Sequence, residues 1–228
     1  MENGYNYCRA VCRKKRTDHV YMKTGGIKMT EHYYTKKPVK KSQRSTIKEE
    51  IRGIELVYTV DEGVFSKRGV DFGSKMLIEN LKEPDVSGAI IDVGCGWGPM
   101  GLTAAAAFPE RTIHMVDINE RSIALSRENA ERNKLRNVKI YEQDLLESEA
   151  EESFAAVITN PPIRAGKDVV FKLYEEAWRV LKSGGELTLV IQKKQGAPST
   201  KKKLEELGFE VENPVRSKGY FIFTGKKH

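Results

Sequence analysis

The sequence predicts an α/β fold in which a mostly parallel sheet of seven strands carries helices on both faces and ends in an antiparallel hairpin. From residue 89 onward, short apolar runs alternate with helical patterns, which is typical of parallel strands joined by crossover helices. A glycine-rich turn follows the first of these runs. The last two runs are joined only by Arg216-Ser217-Lys218-Gly219, and since a parallel crossover needs roughly a dozen residues, they must pair antiparallel.

The individual elements follow from the same alternation of patterns. The seven strands are predicted at residues 89–93, 112–116, 138–141, 154–159, 187–191, 209–215 and 220–224. The helices between them are predicted at residues 99–108, 120–133, 168–181 and 199–207. Asn119 and Asp168 are suited to cap the second and third of these helices. Ser183-Gly184-Gly185 and Gly208 are expected to end the third and fourth, because glycine accepts the left-handed conformation of a helix C-terminus.

A hairpin and a helix are predicted before the sheet. Residues 54–60 have the composition of a strand and are followed by the turn residues Asp61-Glu62-Gly63. Residues 64–66 are therefore expected to return as the second strand of a short hairpin. Asp71 is suited to cap a helix that continues through Leu81 and ends before Pro84.

The chain is predicted to divide into a disordered leader (1–28), a basic linker (29–50) and one domain (51–228). The leader has neither helical nor strand periodicity. Residues 1–50 hold 13 Lys and Arg against 5 Asp and Glu, whereas the rest of the chain holds 26 against 27. The net charge of +7 therefore belongs to the N-terminal segment. Lysines 36, 37, 40 and 41 make this segment a candidate RNA-binding arm, with a solvated tail and a strap on the domain as alternatives.

We state as a hypothesis that the leader is not native. Thr24-Gly25-Gly26 can be encoded by a bacterial ribosome-binding sequence, and Met29 follows at a suitable distance. Translation would then begin at Met29. Mass spectrometry of the N-terminus of protein from the native locus tests this, and a peptide that contains Cys8 would refute it.

The composition predicts a cytosolic protein. No apolar run approaches the roughly 20 residues that span a bilayer. The three cysteines, Cys8, Cys12 and Cys95, give no disulfide framework. Cys8 and Cys12 also lack a second ligand pair, so no metal site is expected.

The glycine-rich turn is the first candidate binding element. The run Ile90 to Val93 contains Asp92 and leads into Gly94, Cys95, Gly96, Trp97 and Gly98. Glycines at alternate positions let the backbone turn sharply and let a ligand lie against the main chain. Pro99 breaks the dinucleotide fingerprint G-x-G-x-x-G. The pattern D-x-G-x-G-x-G instead resembles the first motif of class I S-adenosylmethionine-dependent methyltransferases.

Acids follow two further strands, and ligands of open parallel sheets lie beyond such strand ends. Asp117 comes 23 residues after Gly94, a spacing that brings a carboxylate to the hydroxyls of a bound ribose. We also predict a cofactor contact for its neighbour Ile118. Asp144 follows the third strand and is a candidate acceptor for an adenine amino group, with Leu145 packed on the ring.

Asn160-Pro161-Pro162-Ile163 follows the fourth strand. Two prolines give a stiff turn without N–H donors, which can present acceptors to an incoming amine. The turn resembles the N-P-P-[aromatic] motif of methyltransferases that act on exocyclic or amide nitrogen. In that family the Asn side chain and a loop carbonyl accept hydrogen bonds from the target amine, so the resemblance implies catalytic roles for Asn160 and Pro161, and a cofactor contact for Asn160.

The motifs together resemble class I methyltransferases over residues 50–228, with a Rossmann-like sheet. The closest likeness is to the small-domain group of ribosomal RNA guanine-N2 methyltransferases, supported also by Gly63-Val64-Phe65-Ser66 and Asp71-Phe72-Gly73-Ser74. The resemblance implies S-adenosylmethionine as cofactor, and ribosomal RNA or an assembling ribosomal subunit as partner. Ile163 departs from the aromatic residue of that motif. The predicted substrate-binding residues are Phe65, Pro162, Ile163 and Arg164.

Other functions compete with this interpretation. Methylation of adenine N6 or of a protein glutamine would use the same Asn160-Pro-Pro turn. A non-catalytic RNA-binding module that keeps the cofactor site is a further alternative, against which the intact Asn160 argues. A nicotinamide-dependent dehydrogenase would share the sheet, but Pro99 breaks its fingerprint.

Overall fold

The computed structural model describes residues 41–66 and 69–228. The predicted leader (1–28) and residues 29–40 of the predicted linker lie outside these ranges, so the structure does not test them. No helix in the described ranges is both long and apolar enough to cross a membrane.

The described residues form a two-stranded hairpin, a seven-stranded sheet and five α-helices. The hairpin strands are β1 (Arg44–Ile51) and β2 (Ile54–Asp61). The sheet strands are β3 (Ala89–Val93), β4 (Ile113–Asp117), β5 (Val138–Glu142), β6 (Phe154–Thr159), β7 (Leu181–Gln192), β8 (Glu210–Ser217) and β9 (Tyr220–Lys226). The helices are α1 (Phe72–Asn80), α2 (Pro99–Ala107), α3 (Glu120–Arg132), α4 (Lys167–Val180) and α5 (Ala197–Glu206).

The order of the strands creates a crevice near the middle of the sheet. The sheet runs β5-β4-β3-β6-β7-β9-β8, with β3 to β7 parallel and β9 antiparallel to both β7 and β8. The chain moves outward from β3 to β5 and then returns to place β6 on the other side of β3. Such a switch point between neighbouring strands is where open parallel sheets bind ligands. The predicted fold is confirmed, including the antiparallel C-terminal hairpin.

Strand periodicity gives the sheet two buried faces. Ile90 and Ile91 are consecutive in β3 and both fully buried, yet they belong to opposite apolar clusters because successive side chains point to opposite faces. Leu77 of α1 and Leu102 of α2 pack in the first cluster. Leu173 of α4 packs in the second. Helices on both faces hold the strand ends rigidly, and the site is built from those ends.

The hairpin is docked by asparagine side chains. Asn129 accepts a hydrogen bond from the Thr59 N–H (2.6 Å) and donates to the Thr59 carbonyl (3.0 Å). Asn133 makes the same pair of bonds with Val57, at 2.9 and 2.8 Å. The side-chain amides thus act as a neighbouring strand for β2 and satisfy its backbone groups. They fix the hairpin against α3, and the hairpin leads into the loop that carries Phe65.

The predicted hairpin is wrong in its pairing. Residues 54–60 pair with β1, which falls partly within the predicted linker, and not with residues 64–66. Arg52 and Gly53 form the turn, with φ values of 60° and 72°. Two successive positive φ angles are typical of the two-residue turns that join antiparallel strands. Only Ile47 and Ile51 are apolar in β1, so its composition hides a strand.

Two details around α4 also differ from the prediction. Gly166, at φ 104°, occupies the N-cap position, and Asp168 lies in the first turn, where a negative charge still favours the helix dipole. Ser183-Gly184-Gly185 does not end the helix, because α4 passes directly into β7 at Leu181. These residues lie within β7, where the pairing with β6 shifts register between Phe154 and Ala156.

Candidate active site

A cavity of about 320 Å³ lies beyond the carboxyl ends of β3, β4 and β6. It is lined by most of the residues predicted from the sequence: Gly94, Cys95, Gly96, Asp117, Ile118, Leu145, Asn160, Pro161, Pro162, Ile163, Arg164 and Phe65. Asp92, Gly98 and Asp144 do not line it. The structure thus brings the glycine loop, Asp117 and the Asn160-Pro161-Pro162 turn to a single cavity.

The glycine loop has the shape of a ligand cradle. Gly94 and Gly96 have φ values of 75° and 59°, and a Cβ atom built on either would meet nothing within 4 Å. The loop is anchored to α3, because the Ser126 hydroxyl donates to the Gly96 carbonyl at 2.8 Å. The absent side chains therefore leave bare backbone facing open space, which is what a closely bound ligand requires.

Asp117 joins the end of β4 to this loop. Its carboxylate accepts hydrogen bonds from the N–H groups of Gly96 (2.9 Å) and Asn119 (2.8 Å). Burial raises the pKa of Asp117 to about 6, although these backbone bonds oppose the rise. Each carboxylate oxygen keeps further acceptor capacity, so the ionised group can still accept from two hydroxyls.

Asp92 supports the loop from inside the fold. It is fully buried, and its Oδ2 accepts from the Gly101 N–H of α2 at 2.8 Å. Its Oδ1 is buried without a hydrogen-bond partner among the described residues. Burial, together with the nearby charge of Asp117, raises the pKa of Asp92 to about 7, although the bond from the Gly101 N–H opposes the rise. Asp92 therefore lies behind the cavity wall, and its predicted cofactor contact stays a prediction.

Two other predicted residues are displaced from the cavity wall. A Cβ on Gly98 would lie 2.8 Å from Leu102 Cδ1, so this glycine serves the packing of α2 on the loop. Beyond β5, Gln143 lines the cavity beside Leu145, whereas Asp144 does not. Gln143 is anchored by its N–H, which donates to the Asp117 carbonyl at 3.1 Å. The sequence spacing predicted a polar residue at this place but did not show that Gln143, and not Asp144, lines the cavity.

Asn160 is oriented by α1. Its Nδ2 donates to both carboxylate oxygens of Asp71, each at 3.3 Å, and to the Ser74 hydroxyl at 3.0 Å. Asp71 is also the N-cap of α1 and accepts from the Ser74 N–H. Because an ionised carboxylate can only accept, the amide nitrogen must face Asp71. The amide oxygen is then the atom that Asn160 offers on the cavity side.

The residues after Asn160 form a tight turn. The Pro161 carbonyl accepts from the Ile163 N–H at 2.8 Å, and one turn of 3-10 helix follows over Ile163–Ala165. A carbonyl oxygen has two lone pairs, so Pro161 retains capacity for a second donor. Arg164 is exposed at the edge of the cavity.

The loop that carries Phe65 also lines the cavity. Phe65 is 50% exposed, and its carbonyl accepts from the Trp97 indole N–H at 2.9 Å. Trp97 is buried within the glycine loop and packs edge-on against Tyr58 of β2. The hairpin, the Phe65 loop and the glycine loop are therefore one connected unit.

Several lining residues carry no signal in the sequence. Tyr220, Gln192 and Gln195 reach the cavity from the β7 and β9 edge. Gln192 and Tyr220 are paired in the antiparallel register, which brings a C-terminal residue to the end of β7. Within the described ranges, no group of three or more His, Cys, Asp and Glu residues is arranged to hold a metal ion.

A family model described as "Methyltransferase small domain" matches residues 55–224. The chain belongs to this family. The "uncharacterized protein YbxB" of Bacillus subtilis (strain 168) is 53% identical over 200 residues, which cover 87% of this chain and 100% of that protein. "Ribosomal RNA large subunit methyltransferase G" of Shewanella baltica (strain OS195) is 34% identical over 152 residues, or 60% of this chain and 40% of the relative.

A similar solved structure agrees with the fold. The T. thermophilus 16S rRNA N2 G1207 methyltransferase, in complex with AdoMet and guanosine, has a TM-score of 0.68 and 26% sequence identity. The match covers 82% of this chain and 52% of that chain. The chain thus spans about half the length or less of the ribosomal RNA methyltransferases named here.

These findings confirm the predicted methyltransferase family, the Rossmann-like fold and S-adenosylmethionine as the cofactor of the family. The roles of the individual site residues stay predictions.

Proposed function

We propose that the protein transfers the methyl group of S-adenosylmethionine to the exocyclic N2 of a guanine in ribosomal RNA. One observation carries the proposal: the glycine loop, Asp117 and Asn160 line a single cavity, and the Asn160 amide nitrogen is bound to Asp71 and Ser74, which leaves its oxygen for a ligand. The T. thermophilus relative, named for N2 of a guanine, supports the choice of base.

The cofactor side fits S-adenosylmethionine. The open space over Gly94 and Gly96 accommodates a ligand against the backbone, and Asp117 offers a carboxylate for the two ribose hydroxyls. Ile118 and Leu145 supply apolar surface beside an adenine ring, and Gln143 supplies a polar group. When bound, the cofactor supplies a methyl group on a positively charged sulfur.

Asn160 and Pro161 position the amine. The Asn160 side-chain oxygen and the Pro161 carbonyl each accept one hydrogen of the target amino group. These two bonds turn the nitrogen lone pair away from the purine ring and toward the methyl group, which creates a near-attack geometry. The N–C bond then forms as the S–C bond breaks, and the amine releases its extra proton to solvent.

The base is held by side chains of the turn after Asn160 and of the loop that carries Phe65. Pro162 and Ile163 offer apolar surface, Arg164 offers a guanidinium plane, and Phe65 offers an exposed ring. A guanine paired in a helix already uses its amino group, and its edge is difficult to reach in A-form RNA. The target guanine is therefore unpaired or turned out of its helix before transfer.

The decisive experiment uses ribosomal RNA from a strain that lacks the gene. Purified protein and S-adenosylmethionine are added, and the digested nucleosides are identified by mass spectrometry. We expect N2-methylguanosine, which should also be missing from the deletion strain at the same nucleotide.

The variant Asn160→Ala tests the mechanism in the same assay. We expect a transfer rate lower by roughly 10²-fold, which is typical for losing one bond that acts in the transition state, and an unchanged cofactor affinity. N6-methyladenosine as the product would refute the choice of base. Full activity of Asn160→Ala would refute the mechanism, and methylation of ribosomal protein alone would refute the RNA substrate.

A further inference from the structure

Four cations lie on two adjacent turns beside the cavity. Lys193 and Lys194 follow the end of β7, and Arg216 and Lys218 lie at the turn between β8 and β9. All four side chains are on exposed residues. We refer to Lys193, Lys194, Arg216 and Lys218 as the basic rim.

The antiparallel register explains why these turns meet. Gln192, the last residue of β7, pairs with Tyr220, the first residue of β9. The β8–β9 turn therefore lies at the carboxyl end of β7, and the Lys193 N–H donates to the Gly219 carbonyl at 2.9 Å. Gln192 and Tyr220 both line the cavity, so the basic rim is continuous with its mouth.

The charges of the rim are not neutralised within the fold. None of the four side chains forms an ion pair with any residue in the described ranges. Arg216 donates to the uncharged Asn213 at 2.6 Å, and its guanidinium carbon lies 5.2 Å from the Phe221 ring centroid. By contrast, Lys201 and Lys202 on the neighbouring α5 are paired with Glu205 and Glu206. Residues 51–228 carry 26 basic and 27 acidic side chains, so the positive charge of the rim is local and does not reflect an excess of basic residues in the domain.

An exposed aromatic ring accompanies the rim. Phe72, the first residue of α1, is 37% exposed, and its ring centroid lies 5.4 Å from that of Tyr220. The Lys218 Nζ lies 4.7 Å from the Phe72 ring centroid. A ring and a cation side by side are what single-stranded nucleic acid uses, because the base stacks on the ring while the phosphate meets the charge.

We infer that the basic rim and Phe72 bind the single-stranded RNA backbone next to the target nucleotide. The inference rests on the proposed function and adds the path of the RNA: from the cavity, past Tyr220, over the two turns. It also locates an RNA-binding surface in the catalytic domain, separate from the lysines predicted for this role in residues 36–41. Phosphates supply the negative charges that the rim lacks.

The test compares two double variants of the full chain. Lys194→Gln/Lys218→Gln removes two rim charges. Arg136→Gln/Lys139→Gln removes two charges at the start of β5, which is the opposite end of the parallel strands. Binding of a labelled single-stranded RNA oligonucleotide is measured by fluorescence anisotropy over a series of KCl concentrations, and cofactor affinity by calorimetry reports that each variant is folded.

We expect the rim variant to bind RNA about 10-fold more weakly at low salt, with the slope of log affinity against log salt flattened by about 0.7 per removed cation. The control variant should match the wild type. Phe72→Leu keeps an apolar side chain but removes the ring, and should weaken RNA binding by about 5-fold or more without changing the slope.

The outcomes separate this inference from the proposed function. If the wild type methylates ribosomal RNA but the rim variant keeps its RNA affinity and salt slope, the inference is overturned and the function stands. Equal losses in the rim and control variants would also overturn it, because the effect would then be one of net charge. If the wild type neither binds nor methylates RNA, the proposed function itself fails.

Discussion

The side-chain nitrogen of Asn160 lies 3.3 Å from each carboxylate oxygen of Asp71, although the two residues are 89 positions apart in the chain. This contact decides which end of the Asn160 amide faces the cavity. Asp71 acts through Asn160 in the proposed reaction and is therefore a positioning residue.

Asp71→Asn tests this relationship. The new amide can still cap α1, since Asn and Asp are comparable N-caps, so stability should change by less than about 0.5 kcal/mol. Its NH₂ group opposes the Asn160 NH₂ group, and Asn160 then turns its oxygen away from the substrate. We expect the rate of methyl transfer to fall by roughly 10²-fold with an unchanged cofactor affinity. Steady-state kinetics should place the loss in kcat.

Ser74→Ala provides the graded comparison. It removes one of the three contacts to Asn160 and leaves the carboxylate in place. Its rate should lie between those of the wild type and Asp71→Asn. An Asp71→Asn enzyme as fast as the wild type would contradict the positioning role.

We expect Asp117 to make cofactor binding dependent on pH. Its pKa is raised to about 6 by burial, so the carboxylate loses its charge as the pH falls through that value. A protonated group accepts hydroxyl hydrogen bonds poorly, and we expect cofactor affinity to fall below about pH 6. Asp117→Asn should abolish this dependence, and Asp117→Ala should cost about 1.5–3 kcal/mol at neutral pH. Calorimetry over the pH range measures both effects, and a pH-independent wild type would exclude Asp117 from the site.

Two glycines in the same region should respond differently to alanine. In Gly96→Ala the new Cβ enters the open space of the cavity, so cofactor affinity should fall by at least about 10-fold, with a backbone strain of about 1–2 kcal/mol. In Gly101→Ala the Cβ lies 2.7 Å from Met115 Cγ, and overpacking should cost about 1–3 kcal/mol of stability with cofactor affinity retained. Urea unfolding and calorimetry separate the two results. An equal loss of cofactor affinity in both variants would contradict the prediction that the cofactor lies against the backbone at Gly96.

Asp92 should make the folded state less stable as the pH rises. Its pKa is raised to about 7 in the folded protein, from an ordinary value of 3.8, so the folded state binds more protons than the unfolded state between these values. The contribution of this group to stability is therefore present below about pH 4 and lost as the pH rises through 7. Asp92→Asn resembles the protonated form.

Urea unfolding of the wild type and Asp92→Asn at several pH values checks this sign. The variant should gain stability relative to the wild type between pH 5 and 8. A stability difference that does not change with pH would show that Asp92 titrates normally.

The parallel sheet was predictable because its signals are local. Strands such as Ala89–Val93 and Phe154–Thr159 are short apolar runs bounded by turn residues, and their predicted bounds match the structure. The strand β1 was missed because its sequence is charged and its stability comes from pairing with β2. Arg52-Gly53 is the local signal that indicates the correct turn.

Some site residues could likewise be predicted from local sequence signals, whereas others could not. Gly94, Asp117 and Asn160 could be located from spacing, because Asp117 ends a strand and the other two directly follow one. The hydrogen bond from Asn160 to Asp71 and the approach of Tyr220 to the cavity depend on how distant elements pack. The basic rim likewise depends on the register of β7 with β9, which no local pattern reveals.

The bond from the Trp97 indole to the Phe65 carbonyl joins the glycine loop to the loop that carries Phe65, so we expect the two ligands of the proposed reaction to be coupled through it. Trp97 belongs to the loop that is expected to contact the cofactor, and Phe65 lies where the base is expected. If one ligand orders the two loops that this hydrogen bond joins, the loops are already ordered when the second ligand binds. By linkage, the factor by which the cofactor alters RNA affinity must equal the factor by which RNA alters cofactor affinity. The order in which the two ligands bind then affects the rates of assembly but leaves the total binding free energy unchanged.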